Sequence, residues 1–169
     1  MKIAIVYQSL TGNTKAVAEA IREAVSKQEI VWFGEPGEPV EADLYLVGSW
    51  TDKGLCHEGT AAYLKSLRGK KIGYFGTAGF GGSQEYYDML FQRIKSLIDG
   101  SNRILGCYYC QGKMPQSVRQ RYEKLLQENP KDAKAQASLE NFDRALSHPD
   151  AQDLEGAKKW AQDMVALGE

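Results

Sequence analysis

The chain predicts an α/β fold: a doubly wound parallel sheet of five strands with helices on both faces and a helical pair inserted after the last strand. Three observations carry this expectation. Apolar runs without polar alternation recur along the first two thirds of the chain, as in strands covered on both faces. Amphipathic helical stripes separate most of them, the alternation that defines a parallel sheet. Beyond Lys113 the strand-like runs stop and only helical periods continue. With 169 residues the chain has the length of one domain, typically ~100–200 residues.

The first strand is Lys2–Tyr7 (KIAIVY), followed by a helix whose stripe is Val17, Ile21, Ala24 and Val25. Glu29–Phe33 gives a shorter second strand. Gly34–Ala42 (GEPGEPVEA) then joins it to the third, Asp43–Gly48, and its prolines and glycines predict a loop where a crossover helix usually lies. Ala61, Leu64 and Leu67 mark a weaker helix before the fourth strand, Lys71–Gly76. Tyr87, Leu90, Phe91, Ile94 and Ile98 mark a strong one before the fifth, Arg103–Cys110. In the tail, Val118, Tyr122, Leu125 and Leu126 form one stripe and Ala135, Leu139, Phe142 and Leu146 a second, so residues 115–147 read as an inserted helical pair. The final stripe, Leu154, Ala157, Ala161, Met164 and Val165, predicts a helix returning to the sheet.

Composition excludes several functions. Hydrophobic residues make up 43% and charged residues 25%, with 21 basic against 22 acidic side chains, which argues against disorder and against a nucleic-acid footprint. No apolar run approaches the ~20 residues of a membrane span, so no membrane role is expected. Three cysteines, Cys56, Cys107 and Cys110, cannot form a disulfide framework and suit a reducing, cytoplasmic setting. Cys107 and Cys110 form a C-x-x-C, but residues i and i+3 of a strand point to opposite faces, which opposes a redox pair. Two histidines, His57 and His148, and no second cysteine pair oppose a structural zinc site.

The segment Gln8-Ser9-Leu10-Thr11-Gly12-Asn13-Thr14 joins the first strand to the first helix, at the carboxyl edge where open α/β sheets bind ligands. Its hydroxyls and backbone N–H groups can converge on a phosphate at the helix N-terminus. No lysine follows its glycine, so it is not a nucleoside-triphosphate loop. It also lacks the G-x-G-x-x-G of a dinucleotide site.

Ser9-Leu10-Thr11-Gly12-Asn13-Thr14 resembles the [ST]-x-T-G-x-T phosphate loop of the flavodoxin family, and the resemblance extends over most of the chain. It implies a flavodoxin-like fold with FMN across the ends of the first, third and fourth strands. By that carry-over the ring is held by Ser49, Trp50, Thr51, Asp52, Lys53 and Gly54 after the third strand. After the fourth strand it is held by Thr77, Ala78, Gly79, Phe80 and Gly82. Trp50 is the aromatic expected on one face of the ring; Phe80 is expected on the other, with Tyr86 or Tyr87 as substitutes. The backbone carbonyls near Asp52, Lys53 and Gly54 are candidates to meet the N5–H of reduced flavin, which favours the neutral one-electron form. Lys53 departs from the family pattern by placing a cation near the ring, and Lys113 stands where the fifth strand emerges at the same edge. Burying an aromatic ring area of ~150–250 Å² at ~25 cal/mol per Å² gives roughly 4–6 kcal/mol. Charge-assisted bonds to phosphate of ~1.5–3 kcal/mol each favour FMN over riboflavin.

The implied function is an electron carrier between a reductase and an acceptor enzyme, working through the flavin with no catalytic side chain and no metal. Trp50–Gly54, Cys110–Lys113 and His148-Pro149-Asp150 resemble a near-neutral subfamily known mainly from anaerobic bacteria. With a net charge of −1, partner choice is expected to rest on the inserted pair at Pro115–Ser147 more than on a long-range field. The alternative is an NAD(P)H-dependent FMN oxidoreductase acting on quinone-like acceptors, which shares the fold.

Overall fold

The computed structural model describes residues 1–169. Strand β1 (Lys2–Tyr7) leads through helix α1 (Asn13–Ala24) to β2 (Glu29–Gly34). The chain then enters β3 (Leu44–Asp52), a two-residue β4 (Leu55–Cys56), α2 (Glu58–Ser66) and β5 (Lys71–Ala78). Helix α3 (Gln84–Lys95), β6 (Arg103–Gln111), α4 (Gln116–Glu128), α5 (Ala133–Ala145) and α6 (Ala151–Gly168) complete it. The five long strands pair in parallel in the order β2-β1-β3-β5-β6, while β4 pairs antiparallel with the end of β3. The order reverses at β1, and the ends of β1, β3 and β5 meet there, the place where doubly wound sheets bind ligands.

The pleat explains the continuous apolar runs, because each central strand serves two cores. Ile3, Ile5, Leu44, Leu46 and Phe75 face α1 and α6, where Val17, Ile21, Trp160 and Met164 fill one cluster. Ala4, Val6, Tyr45, Val47, Ile72 and Tyr74 face α2 and α3, where Leu64, Phe91 and Ile94 fill the other. Cys107 and Cys110 obey the same alternation. Cys107 packs at the α2/α3 core and Cys110 lies in the α1/α6 core.

The Gly34–Ala42 connection holds no helix. Tyr45 ties it down, its hydroxyl donating to the Val40 carbonyl at 2.7 Å and accepting the Ala42 N–H at 3.1 Å.

Several details depart from the sequence reading; the strand read as Lys71–Gly76 runs on to Ala78, so Thr77 and Ala78 belong to it rather than follow it. The third strand does not end at Gly48 but runs to Asp52. The Ser49–Gly54 segment is therefore strand plus a two-residue turn: β5 pairs with Ser49 and Trp50, and β4 with Thr51 and Asp52. Trp160, absent from the predicted stripe, is the largest α6 side chain in the core. Leu125 and Leu146 lie 41% and 53% exposed rather than in helix stripes, because α4 and α5 pair with each other at the edge of the molecule instead of covering the sheet.

Candidate functional site

The phosphate-type loop is built by one residue of unusual backbone. Gly12 caps α1 at φ 92, the left-handed region that glycine enters without penalty, and turns the chain so that successive N–H groups face outward. Ser9 Oγ accepts the N–H groups of Gly12 and Lys15, each at 3.2 Å. The N–H groups of Leu10, Thr11, Asn13 and Thr14 have no partner within the protein. Four amide donors without a protein partner therefore stand at the start of α1, where the helix dipole is positive.

Neighbouring elements fix this loop from two sides. Thr14 Oγ1 lies 2.9 Å from Thr77 Oγ1, joining the start of α1 to the end of β5. Asn13 Nδ2 donates to the Lys113 carbonyl at 2.8 Å, joining it to the segment after β6, while Asn13 Oδ1 is buried with no partner.

The second wall is the β3–β4 hairpin. Lys53 (φ 50) and Gly54 (φ 76) form its turn, both at positive φ as the tight primed turns of hairpins require. Arg93 of α3 donates to the Gly54 carbonyl at 3.2 Å and steadies the turn from below. Trp50 packs against the imidazole of His57, ring centroids 4.7 Å apart and planes at 37°. Thr51 Oγ1 donates to the Thr77 carbonyl at 2.9 Å.

The third wall is the turn after β5. The Gly79 carbonyl accepts from Gln111 Nε2 and from Asn141 Nδ2, each at 3.0 Å, and Gln111 Nε2 also donates to Asn141 Oδ1 at 3.1 Å. A Cβ at Gly79 would lie 2.5 Å from Met114 Sδ, so the thioether packs directly against the glycine backbone.

These walls enclose a cavity of about 560 Å³. That lies within the ~300–1,000 Å³ typical of cofactor sites. It brings together Leu10, Thr11 and Asn13; Trp50, Thr51, Asp52, Lys53 and Gly54; and Thr77, Ala78, Gly79 and Phe80. Five other predicted site residues do not line it. Ser9 and Gly12 shape the loop from behind, Thr14 is held by Thr77, and Gly82 lies outside. Ser49 is fully buried, donating to the Trp50 carbonyl and accepting the His57 N–H, so it braces the hairpin instead. Of the two tyrosines weighed as ring partners, Tyr86 lines the cavity, whereas Tyr87 stacks on Tyr109 at 5.5 Å. Burial raises the Tyr86 hydroxyl pKa, so it stays protonated.

The far wall was not legible in the sequence. Gly112, Lys113, Met114 and Pro115 line the cavity, as do Val118, Arg121 and Tyr122 of α4. Only Lys113 among them had been singled out by its position. Val118 and Tyr122 did stand in a helical stripe, yet a stripe does not say what it faces. Around the rim, Lys53, Lys113 and Arg121 form no ion pair, and Asp52 is the single carboxylate.

A parallel sheet of this order, with helices on both faces and a hydroxyl-rich loop between its first strand and first helix, is the flavodoxin-like fold. The chain belongs to the flavodoxin family: the family model described as "Flavodoxin domain" matches residues 4–162. Two relatives carry the name "Flavodoxin-like domain-containing protein BilS". That of Clostridium symbiosum (strain WAL-14163) is 40% identical, covering 91% of this chain and 90% of the relative. That of Clostridioides difficile (strain CD3) is 33% identical, covering 98% and 97%. Among solved structures, oxidised flavodoxin 2 from Bacillus cereus superposes with TM-score 0.59 at 17% identity over 99% of each chain. A flavoprotein from Lactobacillus acidophilus NCFM in complex with FMN superposes with TM-score 0.51 at 20% identity, over 64% of this chain and 92% of that one. No helix of this chain is long and apolar enough to cross a membrane.

Proposed function

We propose that this chain binds FMN and carries electrons between a reductase and an acceptor enzyme. The observation that carries the reading is the opening of one cavity onto both the Leu10–Thr14 amide cradle and the Trp50 platform, which matches a ligand with an anionic tail and a planar aromatic head. The residues fit the group. The unpartnered N–H groups of Leu10, Thr11, Asn13 and Thr14 would hold the phosphate, with the Thr11 hydroxyl beside them. Trp50 would cover one face of the ring and Phe80 or Tyr86 would flank it, excluding water. When bound, FMN supplies the capacity to take up and release electrons singly.

The protein's own part is to bind, orient and polarise. The Lys53-Gly54 turn would offer its backbone carbonyls to the flavin, with Arg93 restraining that of Gly54. The Lys53, Lys113 and Arg121 cations favour electron-rich ligands.

Fluorescence titration of the purified chain with FMN and riboflavin tests the reading. FMN is expected to bind at least about tenfold more tightly, a difference of ~1.4 kcal/mol. Equal affinities contradict phosphate capture by the loop. NADPH oxidation by the chain alone, without a reductase, contradicts the carrier role and favours the oxidoreductase alternative.

A further inference from the structure

Helix α4 is the one helix of the fold with no fully buried residue. It is nonetheless amphipathic, and its lining residues follow one helical face: Val118, Arg121 and Tyr122 stand at i, i+3 and i+4. That face lines the same cavity as Leu10, Trp50 and Phe80. Helix stability in proteins comes chiefly from burying an apolar face, and the main packing partner of α4 is α5. Its two central arginines are also divided. Arg119 is engaged by Glu123 and by Asp143 of α5, whereas Arg121 has no ion pair and turns to the cavity, its guanidinium 5.6 Å from the Tyr122 ring centroid.

We infer that α4 is the outer wall of the flavin site, and that the bound flavin supplies the packing its inner face lacks. Val118 and Tyr122 would touch the ring system from the α4 side of the cavity, and Arg121 would bring a positive charge to the same side. The inserted pair is thereby part of the cofactor site and not only a surface appendage. The inference rests on the FMN reading and adds to it three residues from an element that the phosphate loop and the two ring-holding segments do not include.

Amide hydrogen exchange on the intact chain, with and without saturating FMN, is the test. Exchange across residues 116–126 is expected to slow roughly tenfold or more on FMN binding, because α4 gains a packed face. Tyr122→Ala is expected to weaken FMN and riboflavin alike, each roughly tenfold, since the contact is to the ring and not the phosphate. Tyr122→Phe should restore binding. Arg121→Gln is expected to shift the midpoint potential of the bound flavin to more negative values, because a lost cation disfavours the electron-rich form. FMN binding with unchanged exchange in α4, or with unchanged affinity in Tyr122→Ala, overturns the inference while the FMN reading stands. Failure of the unaltered chain to bind FMN overturns both.

Discussion

Asn141, buried in α5, donates its side-chain amide to the carbonyl of Gly79 at 3.0 Å, tying the inserted helical pair to the turn after β5. The two residues are 62 positions apart, and Gln111 at the end of β6 closes the triangle by bonding both. A buried amide that satisfies both of its polar ends fixes geometry more than it adds net stability, because its replacement leaves partners unpaired. The turn carrying Gly79 and Phe80 therefore takes its position from α5 as well as from the sheet.

Asn141→Ala strips the Gly79 carbonyl of one donor and Gln111 of its acceptor. A loss of about 1–3 kcal/mol in unfolding free energy is expected, read from the urea midpoint at unchanged slope. A variant as stable as the parent chain would show that water replaces the amide at no cost.

Gly54→Ala tests the hairpin. A residue with a Cβ at φ 76 pays the left-handed penalty of about 1–2 kcal/mol, and the new methyl collides with the Arg93 guanidinium, which holds the Gly54 carbonyl. The expected outcome is both a lower melting temperature and weaker FMN binding. Substitution without either effect would mean that the turn is free to rearrange.

Alkaline pH should weaken the fold. Burial pushes the hydroxyls of Tyr63 and Tyr87 up to about 12, and raises those of Tyr74 and Tyr109 well above the ordinary range. An unfolded tyrosine ionises near ~10. Between these values the native chain holds more protons than the unfolded one, so stability is intact below pH ~10 and falls as pH rises toward ~12. Thermal melts at stepped pH should show this decline, together with a delayed 295 nm titration relative to denatured protein. A constant midpoint from pH 8 to pH 11.5 contradicts it.

Cys107 and Cys110 should not pair under mild oxidation. They belong to cores on opposite faces of β6, and burial raises both thiols, Cys107 to about 11 and Cys110 further, which suppresses the reactive thiolate. Mass spectrometry after diamide treatment of the folded chain is expected to find no bond between them; a Cys107–Cys110 disulfide would contradict the strand geometry.

The parts of the fold legible in the sequence were those set by local pattern. Five apolar runs gave the five parallel strands, and Gly34–Ala42 was readable as a helix-free connection because proline and glycine act locally. The Ser9–Thr14 loop was legible for the same reason: a hydroxyl-rich turn between a strand and a helix has one place in such a sheet. What sequence pattern did not reveal depends on tertiary partners. The extension of β3 to Asp52 rests on β5 beside Ser49 and Trp50 and on β4 beside Thr51 and Asp52, and two residues of β4 leave no periodic mark. Ser49 and Thr14 have the chemistry of ligand contacts, but bonds to the Trp50 carbonyl and to Thr77 turn them inward. The stripe Val118–Tyr122 was visible, yet no period distinguishes a helix face packed on protein from one that lines a cavity.

The most direct test of the central claim is the visible spectrum of the FMN-loaded chain during stepwise anaerobic reduction. The account predicts a yellow protein that develops a broad long-wavelength band from neutral one-electron-reduced flavin before it bleaches. Direct bleaching to the two-electron form, with no such band at any stage, would contradict a one-electron carrier.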